Sequence, residues 1–96
     1  MNLLDDVKLA LRVTHDKLDT EVNDCIEEAR FDLIQAGVSS KKVQDDKDPL
    51  IRRAIKVYCK ANFGLADKDT IIVKEKYQES YEMIKQHLSL SGDYRV

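Results

Sequence analysis

The chain has few of the side chains from which metal and catalytic sites are usually built. Its 96 residues include two histidines and two cysteines. The pair His15-Asp16 superficially matches the ligand pair of metal-dependent phosphohydrolases, but such sites need further His and Asp ligands on other helices, and His87 is the one other histidine. Residues 45–48 are acidic, yet they lack the central glycine and terminal glutamate of a helix-loop-helix calcium loop.

Several motifs that would indicate an enzyme are also missing from the sequence. It contains no glycine-rich phosphate loop, no Gly-x-Ser-x-Gly elbow and no cysteine close to a histidine. We therefore predict that the protein is not an enzyme and has no catalytic residues, no bound cofactor and no metal site.

Cysteine, glycine and proline are too scarce for a disulfide scaffold or a disordered chain. Cys25 and Cys59 both fall in helical patterns, where a small apolar side chain on a buried face is the simplest explanation. Three glycines and one proline fit an ordinary globular domain. We expect a folded protein made in a reducing cytoplasm.

Long apolar runs are absent as well. No stretch of about 18 apolar residues occurs, and residues 1–6 lack the basic and apolar regions of a signal peptide. We expect no membrane span and no secretion by that route.

Charge of both signs is plentiful, but its distribution along the chain is uneven. Residues 1–40 carry four basic and nine acidic side chains, whereas residues 41–60 carry seven basic and three acidic ones. This separation into an acidic N-terminal part and a basic central part is a better indication of possible binding partners than the net charge of -2.

Apolar residues recur at spacings of three and four, which predicts an all-α fold. We predict four helices near residues 2–13, 17–36, 49–63 and 70–88, packed as a small bundle. Asn2, Thr14 or Asp16, Asp48 and Asp69 or Thr70 are the expected N-caps, and Gly37 and Gly64 are the expected ends of the second and third helices. Pro49 suits the first position of a helix.

The segments outside these helices are polar. Residues 38–47 lack periodicity and predict an irregular loop between the second and third helices. Residues 1–90 form one predicted helical domain, and residues 91–96 form an extended C-terminal tail that we expect to be loosely held until a partner binds it. Tyr94 and Arg95 are residue types common at interfaces, so they are candidate contact residues.

The third predicted helix carries a basic stripe. Arg52, Lys56 and Lys60 fall at positions i, i+4 and i+8, and Arg53 lies beside them. A solvated helix face, a contact with acidic protein and a weak contact with phosphates all remain open. A helix-turn-helix DNA reader is less well supported, because the preceding loop is long and the chain is slightly acidic. On an exposed face, reversing these charges should leave the melting temperature nearly unchanged.

The order of these signals resembles the head-tail connector proteins of tailed phages and prophages, also described as head-completion or DNA-packaging adaptor proteins. The resemblance lies in residues 3–13 (LLDDVKLALRV), 15–19 (HDKLD), 26–30 (IEEAR), 48–55 (DPLIRRAI) and 88–95 (LSLSGDYR). It spans nearly the whole chain, although each segment alone is a weak signal.

The resemblance implies a structural virion protein at the head-tail junction. It implies a homo-oligomeric ring, commonly dodecameric, that joins the portal protein to a tail-side head-completion protein and continues the channel for genomic DNA, without reading its sequence. Isolated subunits are expected to stay monomeric until docking. The acidic second helix and the basic third helix are a plausible complementary pair, across subunits or within one. The alternative is a small bacterial helical regulator or an antitoxin-like binding domain.

Overall fold

The described part of the fold consists of helices joined by short connections. The computed structural model describes residues 2–63 and 68–96, and the side chains within them except those of residues 68–72. The helices are α1 (Leu3–Leu11), α2 (Asp19–Gln35), α3 (Ser40–Val43), α4 (Pro49–Asn62) and α5 (Lys68–Leu90). The all-α prediction is confirmed, and α1, α2, α4 and α5 correspond to the four predicted helices.

The segment between α2 and α4 differs from the predicted irregular loop because it contains the short helix α3. A helix of four residues is too short to show a periodic apolar pattern, so sequence alone could not reveal it. Its last residue, Val43, is fully buried in the core. That single apolar anchor holds a polar connection against the rest of the bundle.

Side chains cap α1 and α4 as predicted. The Asn2 Oδ1 atom accepts a hydrogen bond of 2.8 Å from the Asp5 backbone N–H, and Asp48 accepts bonds from the N–H groups of Leu50 and Ile51. Pro49 occupies the first helical position of α4, where its missing N–H leaves no hydrogen bond unmade.

The other predicted helix ends have mixed outcomes. Leu18 is the N-cap of α2 and makes no side-chain cap bond, so the expected caps Thr14 and Asp16 are wrong. Gly37 has a left-handed φ of 101° directly after α2, as predicted. Because α5 begins at Lys68, Asp69 and Thr70 lie inside it. The predicted end at Gly64 falls outside the described residues.

α4 is the central helix, and it packs against α1, α2 and α5. Its side chains Ile51, Ala54, Ile55 and Cys59 are all fully buried. The apolar pattern of residues 49–63 predicts an inward-facing Leu50, but Leu50 is 36% exposed because it lies one residue, or about 100° of helix rotation, from Ile51. The inward face of α4 is therefore rotated slightly from the predicted one.

The spacings of three and four also predict the core positions of α2 and α5, and their burial confirms them. Val22, Ile26, Ala29 and Leu33 of α2 are buried, as are Tyr81 and Leu88 of α5. The Tyr81 hydroxyl donates a hydrogen bond to Asp32, and its ring meets that of Tyr58 edge to face with centroids 5.0 Å apart. One aromatic residue thus joins α5 to both α2 and α4.

Both cysteines are free and buried, which confirms that they serve packing. Their side chains meet where α2 lies against α4. The hydrogen bond with Cys25, reinforced by burial, raises the pKa of the Cys59 thiol.

The C-terminal tail is held within the chain, which corrects the expectation that it is loosely held. After α5 the backbone turns back, and Arg95 forms an isolated antiparallel bridge with Val38. The Ser39 N–H donates to the Tyr94 carbonyl at 2.7 Å, and the Val96 N–H donates to the Gly37 carbonyl at 3.0 Å.

The Tyr94 hydroxyl lies 3.0 Å from Asp48 Oδ2, so the carboxylate that caps α4 also holds the tail. The domain boundary at residue 90 stays a prediction.

We expect Ile26→Ala and Tyr81→Ala each to lower the free energy of unfolding by about 2 to 5 kcal/mol, because both substitutions remove buried volume. Asp24→Ala, at an exposed position of the same helix as Ile26, should change it little. Urea denaturation followed by circular dichroism measures all three. The reverse ranking would contradict the assigned core.

We expect Tyr94→Phe to lower the free energy of unfolding by about 0.5 to 1.5 kcal/mol, because it removes the hydrogen bond to Asp48 and leaves the ring in place. The matched control is Arg95→Ala, since Arg95 is exposed and its backbone bridge survives the substitution. Equal stability of Tyr94→Phe and the wild type in the same denaturation assay would show that the tail contributes nothing to the fold through this bond.

Candidate assembly interface

The four basic residues of the stripe lie on α4 but have different surroundings. Arg52 and Lys56 point toward α1, and their side chains are only 20% and 32% exposed. Arg53 is exposed, and Lys60 is half-buried with its Nζ atom 5.0 Å from the centroid of the Tyr77 ring. The stripe is therefore not one uniform solvated face.

Asp6 of α1 binds the two partly buried cations. Its Oδ2 atom lies 2.8 Å from Arg52 Nη2 and 3.3 Å from Lys56 Nζ. Arg52 also donates to the Asp46 carbonyl at 2.7 Å. Burial alone raises the pKa of the Asp6 carboxyl, but hydrogen bonds from Arg52 and Lys56 outweigh burial and hold the pKa below its ordinary value.

This cluster overturns the expectation that charge reversal at Arg52 and Lys56 leaves the fold untouched. An acidic side chain at either position would face the partly buried Asp6 carboxylate, and like charges at this distance repel. The spacing of the cations predicts the stripe but does not reveal Asp6 as their partner. Forty-six positions separate Asp6 from Arg52, so no local pattern connects them.

A second cluster of charges joins α1 to the start of α2. Lys8 is 8% exposed, and its Nζ atom lies 2.7 Å from Asp19 and 3.1 Å from Asp16. The hydrogen bonds that Lys8 donates to these carboxylates, first of all to Asp19, raise the pKa of Lys8. Asp16, which was expected to cap α2, thus serves as an ion-pair partner.

Arg53 and Lys60 border a groove between the C-terminal end of α1, the outer face of α4 and one side of α5. We call it the basic groove. Its floor contains the mainly apolar side chains of Ala10, Leu11, Val57, Tyr77 and Ile84. Its basic rim residues are Arg12, Arg53, Lys56, Lys60 and Lys74. Among the lining residues that the structure describes, none is acidic, so the groove combines positive charge with an apolar surface.

Tyr94 and Arg95 lie apart from the basic groove. Tyr94 is half-buried beside Asp48 at the start of α4, with Lys42 Nζ 5.5 Å from its ring centroid, and Arg95 is exposed. The structure thus divides the six candidate interface residues into three pairs. Arg52 and Lys56 bind Asp6, and Lys56 also lines the groove; Arg53 and Lys60 line the groove only; Tyr94 and Arg95 lie in the docked tail.

Within residues 2–63 and 68–96, no group of three His, Cys, Asp or Glu side chains is arranged to hold a metal ion. No helix among the described residues is long and apolar enough to cross a membrane.

Comparison with known families identifies the chain. The family model described as "Phage connector protein" matches residues 3–95, which is nearly the whole sequence. The chain belongs to the phage connector protein family. No curated protein and no solved structure matches it.

Family membership gives the protein a structural role in a phage. Connector proteins are virion components that contact other proteins of the phage head or tail. The resemblance noted in the sequence is therefore confirmed at the level of the family, and surfaces suited to protein contacts are the features of interest on this fold.

We expect Asp6→Asn to lower the free energy of unfolding at neutral pH by about 1.5 to 3 kcal/mol, because it leaves Arg52 and Lys56 without their carboxylate. A carboxyl whose pKa is lowered by folding stabilises the fold above its unfolded pKa, and that contribution is lost as the pH falls through the folded pKa. The difference from wild type should therefore shrink below the ordinary pKa of 3.8.

Denaturation across a pH series measures this difference, with Asp5→Asn as the control at an exposed neighbouring carboxylate. The role assigned to Asp6 would be contradicted if the difference in free energy of unfolding between Asp6→Asn and wild type stayed constant down to the lowest pH of the series.

Proposed function

We propose that the protein is one subunit of a homo-oligomeric ring at the head-tail junction of a tailed phage or prophage particle. The ring joins the portal protein to a tail-side head-completion protein and continues the DNA channel, and a dodecamer is the expected size. The observation that carries this proposal is the family match over residues 3–95. Synthesis takes place in the bacterial cytoplasm, and the function needs no catalysis and no cofactor.

The surface of the chain supports an assembly role through the basic groove. A rim of positive charge around an apolar floor suits an acidic protein surface better than it suits solvent alone. Arg53 and Lys60 line the groove without binding Asp6, whereas Lys56 lines it and binds Asp6, and Arg52 binds Asp6. We assign Arg53 and Lys60 to partner contacts and Arg52 and Lys56 mainly to the fold.

The passage of DNA through the ring places a second requirement on its surface. A channel must let the genome slide, so any contact between its basic residues and phosphates has to be weak, sensitive to salt and indifferent to base identity. This behaviour separates the proposal from the alternative of a small helical regulator, which would bind one duplex sequence tightly.

We expect Arg53→Glu to reduce the yield of filled, tailed particles when the variant complements a connector-deficient phage. Its melting temperature should stay close to the wild-type value, because Arg53 is exposed. Lys17→Glu makes the same charge change at an exposed position that does not line the groove and should complement normally.

Wild-type particle yield with Arg53→Glu would exclude an assembly role for this residue. Failure of the wild-type chain itself to enter particles, together with tight sequence-dependent binding to a DNA duplex, would favour the regulator. Light scattering over a concentration series shows whether the isolated chain is a monomer, as we expect, or already a ring.

A further inference from the structure

A second unusual surface lies on the outer face of α2, where Phe31 is 65% exposed. Large aromatic side chains left in water are costly to hydrate and are enriched at protein interfaces. Acidic residues surround this ring on the same face: Asp24, Glu27, Glu28 and Asp32. We call this set the Phe31 surface. It has the opposite charge to the basic groove and carries an apolar group that the groove floor could cover.

The Phe31 surface points directly away from the core. With about 100° of rotation per residue, Phe31 lies roughly 160° from Leu33 and Ala29, which are fully buried on the opposite side of α2. Asp24, Glu27 and Glu28 all fall within about 60° of Phe31. The exposed ring therefore lies within an acidic stripe on the outer face of α2.

The basic groove opens on a different side of the molecule. On α4, the residues that line the groove are centred near Arg53, and Tyr58, which borders the Phe31 surface, lies about 140° away from Arg53 around the helix. Two complementary surfaces on different sides of one chain cannot meet within that chain. They can meet between successive copies.

We propose that the Phe31 surface of one copy docks in the basic groove of the next copy, and that this contact repeats around the ring. The inference rests on the proposed ring function and names the two surfaces that build it. A ring of identical subunits needs a heterologous interface, in which one patch of each subunit contacts a different patch of its neighbour. Phe31 is the apolar anchor. The carboxylates of Asp24 and Glu28, which form no ion pair with a described residue of their own chain, face the basic rim, whereas Glu27 pairs with Arg30 and Asp32 with Lys85.

The chemistry of both surfaces favours a second copy over a nucleic acid as occupant of the groove. Phosphates would use the basic rim but would leave the floor formed by Val57, Tyr77 and Ile84 uncovered. The Phe31 surface provides both an aromatic ring for the floor and acidic groups for the rim. Docking would also bury Phe31, which is 65% exposed on the isolated chain.

Crosslinking in assembled particles tests the contact. We would combine Glu28→Cys on the Phe31 surface with Ser80→Cys in the groove and treat purified tailed particles with a short bis-maleimide. Because the two positions lie on different sides of one chain, crosslinks should join neighbours and give a ladder of dimers and higher multiples on a denaturing gel. The native Cys25 and Cys59 are buried and should not react.

The matched control replaces Ser80→Cys by Glu79→Cys, which is the adjacent exposed residue of α5 but points away from the groove by about 100° of rotation. This control pair should give mostly monomer. Equal ladders from both pairs, or no ladder from either pair in particles that contain the chain, would overturn the proposed contact and leave the ring function standing. Absence of the chain from tailed particles would overturn both proposals.

A substitution that removes the anchor gives an independent readout. Phe31→Ala should reduce incorporation into particles by about tenfold or more, as expected for a central aromatic anchor, while helicity and melting temperature stay unchanged. The control is Met83→Ala, because Met83 is 71% exposed on α5 and lies outside both surfaces. If the two variants enter particles equally well, Phe31 is not the anchor and the proposed contact is wrong.

Discussion

The structure depends first on burying one face of α4. Ile51, Ala54, Ile55 and Cys59 are removed from water completely, and each of α1, α2 and α5 covers part of this face. In so short a chain, one shared core has to supply most of the favourable free energy of folding. Because α4 is enclosed on that side, its opposite side and the neighbouring edges of α1 and α5 form the basic groove. The burial that stabilises the chain therefore also positions the surface that we assign to assembly.

Two carboxylates fix how the other segments lie on α4. Asp48 caps the helix through the N–H groups of Leu50 and Ile51 and accepts the hydroxyl of Tyr94, so the start of α4 and the C-terminal tail share one acceptor. Asp6 holds α1 against α4 through Arg52 and Lys56. Each carboxylate is partly buried, and its negative charge is compensated or hydrogen-bonded. Such contacts specify geometry as much as they add stability, because an unpaired charge at the same place would be costly.

The basic stripe shows how one charge pattern can serve two purposes. A spacing of i, i+4 and i+8 places side chains on one helix face, but the neighbouring helix decides which of them meet water. Here α1 reaches Arg52 and Lys56, while Arg53 and Lys60 stay at the groove. The fold also places the Phe31 surface and the basic groove on different sides of the chain. For this reason the two surfaces can form one interface between neighbouring copies. Connector proteins contact other virion proteins, and such an arrangement suits repeated contacts.

Local sequence patterns were enough to predict the all-α class, the four main helices, the caps at Asn2 and Asp48 and the resemblance to the connector family. These features follow from local chemistry: apolar spacing, cap side chains and the order of short motifs along the chain. The packing of the folded chain, and no local pattern, brings Asp6 to Arg52, returns Tyr94 to Asp48 and anchors α3 through Val43. The first two contacts each join residues 46 positions apart, and the third depends on a single buried side chain. Contacts of this kind leave no periodic trace, because they form where separate helices happen to converge in three dimensions.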